Sequence, residues 1–247
     1  MRRGRSQVSV PWNVQVLRLT LFSTAAIDGS GLWQTATGLV PEVDEHRPRE
    51  AIRRQAGQIS DDAFLELVIT TTRLDWVLSS FPMTEFSYLG DVATALSVFD
   101  KMIVPWLETR PGITVQRIAF GLIAVSPTPD REASYALLQK LVPSVRYDPE
   151  HTREVAYQVN RPVVSPTIQG LELNRITKWS ALRFLSGVLN MQSGAMSPDE
   201  PRFSARSECD HSTPAERVEI FTADEIIAIY SELRDLAVAN LEGGEIP

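Results

Sequence analysis

The chain predicts an α+β protein, a mostly antiparallel sheet with helices packed on it. Three observations carry that prediction. Segments with the period-two alternation of strands outnumber those with helical periodicity. The strands come in runs, not one for one with helices, which argues against a doubly wound parallel sheet. The clearest helical segments bring their own punctuation, Asp or Thr at the start and Gly or Pro past the end.

Residues 1–12, with Arg2, Arg3 and Arg5, read as a loose basic tail, and 13–247 as one domain. NVQVLRLTLF, 13–22, sets Val14, Val16, Arg18, Thr20 and Phe22 on one side and Leu17, Leu19 and Leu21 on the other. That is a strand buried on at least one face. Leu32 and Trp33 open a short helix. PEVDEHRPREAIRRQAGQIS, 41–60, is polar, acids first and arginines after, and reads as a long surface loop with one helical turn. FLELVITTTRLDWVLSS, 64–80, is rich in β-branched and aromatic residues around a polar TTTR centre, which gives two strands and a tight turn near Thr71 and Thr72. FPMTEFSYLG is a loop. Asp91 caps a helix whose apolar positions Val92, Ala95, Leu96, Phe99, Met102, Ile103 and Trp106 fall at helical spacing. Pro105 kinks or tightens its last turn, and Pro111-Gly112 stops it.

ITVQRIAFGLIAV, 113–125, is apolar on both faces, the pattern of a central strand covered on both sides. Arg117 interrupts one face and must be paired or sit at an edge, because an unpaired buried charge is costly. A helix follows from Arg131 to Leu141. TREVAYQVNRPVVS, 152–165, is a strand limited by Pro162, and LELNRITKWSALRFLSG, 171–187, a strand bent near its middle. NMQSGAMSPDEP, 190–201, has a flexible composition, and RFSARSECD, 202–210, alternates again. Thr222 and Glu225 match a capping box. Behind it Ile226, Tyr230, Leu233, Ala237 and Leu241 form an apolar stripe that Gly243-Gly244 ends. The stretch 143–152 leaves open a division into two similar α+β halves, although no sequence repeat supports one.

The composition is that of a globular protein, 43% hydrophobic and 22% charged over 247 residues, long enough for a real core. The net charge of -7 argues against a general nucleic-acid binder. Lysine occurs only at Lys101, Lys140 and Lys178; every other basic residue is arginine, the bias of a GC-rich bacterial genome. One cysteine excludes an intrachain disulfide. The N-terminus has a charged front with no apolar run behind it, unlike a secretory signal. No stretch reaches the ~18 apolar residues of a membrane helix. The expected location is the cytoplasm.

The one stretch that looks like chemistry is SECDHSTPAER, 207–217. On a strand Cys209 and His211 share a face and Asp210 takes the other. A nucleophile and its base normally converge from separate places, and a third group orients the base. The reading here is therefore a core cysteine, followed by turn formers before Pro214. His46, His151 and His211 lack the spacing of a zinc site. G-x-x-x-x-G-K-[ST], G-x-G-x-x-G and G-x-S-x-G are absent, and no spacing singles out a carboxylate pair. No cofactor is expected.

The end of the chain carries a resemblance. A strand closes on Asp210-His211-Ser212-Thr213, Pro214-Ala215-Glu216-Arg217 follows, and a capped amphipathic helix runs to Gly-Gly. With the central QRIAFGLIAV, this resembles a sporadically distributed, uncharacterised group of bacterial α+β proteins of about this length. In that group an apolar residue and an asparagine stand where this chain has His211-Ser212. The resemblance implies a fold and a bacterial origin; it carries no activity, cofactor or catalytic residue.

The expected function is therefore non-catalytic, through contacts with a protein partner or self-association. Trp12, Trp33 and Trp76 are the candidate exposed aromatics, and Arg47, Arg49, Arg53 and Arg54, with His46, the candidate interface cations. The alternative is a nucleic-acid-associated or nuclease component whose phosphate contacts come from that arginine cluster.

Overall fold

The computed structural model describes residues 10–82, 87–109, 112–148, 150–184, 187–189, 196–198 and 200–244. The strands are β1 (Asn13–Ser23), β2 (Val43–Arg47), β3 (Ile52–Ser60), β4 (Ala63–Ile69), β5 (Arg73–Ser80), β6 (Val115–Thr128), β7 (Ala156–Asn160), β8 (Val163–Val164), β9 (Glu172–Phe184), β10 (Gly187–Leu189), β11 (Met196–Pro198) and β12 (Arg202–Ser212). The helices are α1 (Leu32–Thr37), α2 (Val92–Thr109), α3 (Arg131–Leu141) and α4 (Ala223–Gly243). Strands form one ten-stranded antiparallel sheet in the order β2-β3-β4-β5-β1-β6-β12-β9-β7, with β8 also on β9; β10 and β11 pair separately. The α+β class with a large antiparallel sheet is thus as the sequence predicts.

Local chemistry accounts for the element ends. Asp91 accepts a hydrogen bond from the Thr94 N–H at 2.8 Å and starts α2, and Asp130 accepts from Ala133 at 2.7 Å and starts α3. Thr222 and Glu225 make the reciprocal capping box of α4. The hairpin of β4 and β5 turns at Thr71 and Thr72, closed by Thr70 N–H to the Arg73 carbonyl at 2.8 Å. Pro105 lies inside α2 without ending it.

The helices all lie on one face of the sheet. There Leu17, Leu19 and Leu21 of β1 sit beside Leu74, Trp76 and Leu78 of β5 and Ile118, Phe120 and Leu122 of β6, all fully buried. Trp76 stands between α1 and α2, with its ring 6.0 Å from Trp33 and 5.4 Å, edge on, from Trp106. Phe120 meets Tyr230 of α4 edge on at 5.9 Å. Each such side chain contributes roughly 1.5–3 kcal/mol by leaving water. At the far end α4 abuts α3. A Cβ on Gly244 (φ 65°) would fall 2.3 Å from the Leu141 carbonyl oxygen, so only glycine fits there.

Two expectations are corrected. Residues 41–60 are not a loop: they are β2, a 3-10 turn at Pro48–Glu50, and β3. The backbone pairing of an edge hairpin holds them, and that needs no apolar stripe. Strand β6 is central but not doubly covered. Among the described residues no helix lies on its second face, where Ala119 is buried and Gly121 lies under the Arg18 side chain. The sequence readings at 1–9 and over most of 190–199 lie outside the described residues.

Candidate functional site: the open face of the sheet

Strand alternation puts a second set of side chains on the helix-free face, and the register aligns them in rows across the strands. One row runs Gln58, Phe64, Ser79, Val16, Ile123, Glu208, Lys178 and Gln158. The next runs Ala56, Glu66, Val77, Arg18, Gly121, Asp210, Ile176 and Asn160. Phe64, Val16, Ile123 and Val77 are each half-buried in neighbouring side chains. Phe81, 37% exposed, stacks on Phe64 with ring centroids 6.0 Å apart. The middle of the face is thus a short apolar ridge.

Charge pairs surround it. Arg18 lies across Gly121 and reaches Asp210 at 3.3 Å. A Cβ on Gly121 would come within 3.3 Å of the Arg18 Nε, so the missing side chain makes room for that reach. Lys178 and Arg206 both meet Glu208, at 3.2 and 3.3 Å. Arg54 pairs with Glu66. Arg73 grips the buried Asp75 with two nitrogens, at 2.7 and 2.8 Å, and Thr20 donates to the same carboxylate at 2.6 Å. Arg117, the cation expected to need a partner or an edge, lies 4.8 Å from the Phe22 ring centroid and donates to Ser212 Oγ at 3.3 Å.

The sequence's interface residues scatter. Trp12, Trp33 and Trp76 are not exposed: they are 5%, 1% and 0% accessible. The two in the sheet and α1 are core aromatics, and Trp12 donates its indole N–H to the Leu241 carbonyl at 2.9 Å. The arginine cluster does not share one face. Arg47 and Arg54 project to the open side; Arg53 projects to the other, and Arg49 is exposed on the 3-10 turn. Arg47 meets Glu45 at 2.6 Å and Arg53 meets Asp44 at 3.1 Å, which holds the Asp44 carboxyl below the usual range.

The Cys209-Asp210-His211 reading holds in its alternation. Cys209 and His211 face the helices, 3% and 0% accessible, and Asp210 is on the open face. Burial pushes the Cys209 thiol up to about 12, so it is not a thiolate at neutral pH. Burial also holds His211 down to about 4, and the nearby Arg175 charge adds to that. His211 Nε2 accepts from the Asn240 amide at 3.2 Å, and that amide also donates to Thr177 Oγ1 at 2.6 Å. His211 is therefore no turn residue: β12 runs through Ser212, and the imidazole is a neutral member of a buried hydrogen-bonded group. Among the described residues no cluster of three or more His, Cys, Asp or Glu could hold a metal, and no helix is long and apolar enough to cross a membrane.

No protein-family model and no curated protein sequence matches the chain. What it does must be argued from the site.

Proposed function

We propose that this is a non-catalytic bacterial protein that docks a protein partner on the open face of its sheet. The observation that carries the reading is the ridge of Phe64, Phe81, Val16, Val77 and Ile123, ringed by charge pairs on a face that no helix covers among the described residues. An apolar centre inside a polar rim is the anatomy of a protein interface. Nucleic acid fits less well, because phosphate binding needs cations free to replace counterions. Here most of the face's cations already have a carboxylate.

We infer further that the chain consists of two similar halves joined at β1 and β6, with the division falling before β6 and not at 143–152, which lies between α3 and β7 inside the second half. Outward from β1 the strands run β5, β4, β3; outward from β6 they run β12, β9, β7. In each half a strand, a helix, an antiparallel set and a second helix follow in chain order. Strands β1 and β6 pair antiparallel, as a two-fold relation between halves requires. The ridge crosses that junction, so a partner would contact both halves.

Native mass spectrometry on protein drawn gently from its own host tests the docking reading. The expected wild-type species is heavier than 27.5 kDa and resolves into a second protein chain. The double variant Phe64→Ser, Ile123→Lys should lose that chain while keeping its circular dichroism. A bare wild-type monomer, or a variant that keeps its partner, refutes the docking surface. Extra mass that proves to be an oligonucleotide, and is lost when Arg47, Arg49, Arg53 and Arg54 become glutamate, would move the function to the sheet edge.

A further inference from the structure

The large sheet ends on two strands of opposite character. At one end β2, VDEHR, carries Asp44, Glu45, His46 and Arg47 in succession. Charges of that kind keep a sheet edge from pairing with another chain. At the other end β7, AYQVN, has no charged residue. The two ends also differ in depth. Beyond β1 lie β5, β4, β3 and β2; beyond β6 lie β12, β9 and β7, and among the described residues no strand follows β7.

The ladder to β9 fixes which backbone groups of β7 face outward. Ala181 donates its N–H to the Val155 carbonyl at 3.1 Å, and Arg161 donates to the Arg175 carbonyl at 3.2 Å. The odd-numbered residues therefore turn their backbone groups to β9, and Ala156, Gln158 and Asn160 turn theirs away from it. All three are exposed, and among the described residues their outward N–H and C=O groups make no hydrogen bond. Pro162, next in that phase, has no N–H and ends the row of donors.

We propose that β7 pairs antiparallel with β7 of a second copy of this chain, centred on Gln158, so that the two sheets become one. The strand is complementary to itself in that register. Gln158 meets Gln158 of the second copy, amide against amide. Ala156 meets Asn160 of the second copy, so every outward donor of β7 finds an acceptor. Tyr157, already stacked on Trp179 with ring centroids 6.1 Å apart, stands beside Val159 of the second copy. That is an aromatic and β-branched pair at the closely spaced position of the ladder. No like charges oppose each other, whereas β2 paired in the same way would set Glu45 against Glu45. Opposite residues of an antiparallel pair point to the same face. The two open faces would thus lie on one side of the joined sheet.

Sedimentation equilibrium of the intact chain over a series of concentrations tests this. The wild type should pass from 27.5 kDa to twice that mass as concentration rises. Gln158→Lys sets two like charges against each other at the centre and should stay monomeric throughout, with unchanged circular dichroism because the side chain is exposed. Gln158→Pro removes an N–H that nothing within the chain uses, and should also stay monomeric; should it fail to fold, the lysine variant decides. Gln158→Cys tests the register, since the paired Cα atoms would lie about 5.5 Å apart, inside the roughly 4.4–6.8 Å that a disulfide spans. The native Cys209 is buried and does not compete. Mild oxidation should link Gln158→Cys into dimers and leave Glu45→Cys, on β2, unlinked. A wild type that stays at 27.5 kDa at every concentration, a Gln158→Lys variant that still associates, or linkage through Glu45→Cys in place of Gln158→Cys overturns the proposal. The double variant Phe64→Ser, Ile123→Lys leaves β7 intact and should associate as the wild type does, so failure here and failure of the docking reading are told apart.

Discussion

Asp210 and His211 are adjacent on one strand, yet they answer to opposite rules. Asp210 stands on the open face beside Arg18, half in water. His211 stands on the covered face, fully buried and neutral, held by an amide. The difference extends to the whole sheet. On the open face charge is ordinary, paired, and cheap to change. On the covered face a polar group finds few partners: the Asn240 amide serves both His211 and Thr177, while the indole N–H groups of Trp33, Trp76, Trp106 and Trp179 have none among the described residues. Position across the sheet, more than residue type, sets what a side chain is worth here.

The largest test of that contrast pairs two aromatics. Trp76→Ala should cost about 3–5 kcal/mol in urea unfolding, since it removes the ring between Trp33 and Trp106 and leaves a cavity. The matching change on the other face is Phe64→Ala. Equal losses from the two would mean that the open face is covered in the intact protein.

His211 gives the next effect. Its pKa is near 4 in the folded chain against 6.5 when free, so between those values the unfolded state binds more protons. Stability from this group is complete above pH 6.5, and falls as the pH drops through that window towards 4. The drop amounts to about 3 kcal/mol at 1.36 kcal/mol per unit. His211→Asn should flatten that part of the curve of stability against pH. A wild-type and variant that fall in parallel would show that the imidazole charges without cost. In the same experiments Cys209 should resist thiol reagents at pH 8 until the chain unfolds.

Third in size is Phe64→Ala. The ring is half-buried and stacked on Phe81, and its loss should cost about 1 kcal/mol in the isolated chain. Its effect on partner binding should exceed its effect on stability.

How far the sequence showed all this follows the same division between faces. Leu17, Leu19 and Leu21 made β1 plain, and the capping residues made α2, α3 and α4 plain, because those signals are local. Strands β2 and β3 were invisible because VDEHR and IRRQAGQIS have charges on both sides, and an edge hairpin needs only backbone pairing. The burial of the tryptophans is not legible in the sequence, since nothing local says that α1 and α2 close over Trp76. In LELNRITKWS, the run Leu173, Arg175, Thr177, Trp179 and the run Asn174, Ile176, Lys178, Ser180 are equally mixed. The buried face of β9 could not be chosen, and Arg175 with it. The signal was its phase with Leu173 and Trp179. The apolar ridge was equally out of reach, because Phe64, Val16 and Ile123 come together only through the order of the strands.

The smallest effect is also the sharpest check on the open face. Asp210→Asn removes the carboxylate that Arg18 reaches over Gly121, between side chains 37% and 55% accessible. An ion pair so exposed should contribute about 0.2–1 kcal/mol, and the difference should vanish in 1 M salt. A loss of several kcal/mol that survived salt would mean that Arg18 and Asp210 are desolvated in the native protein. The open face would then be occupied by something that travels with the chain through purification, and the partner proposed for it would already be bound.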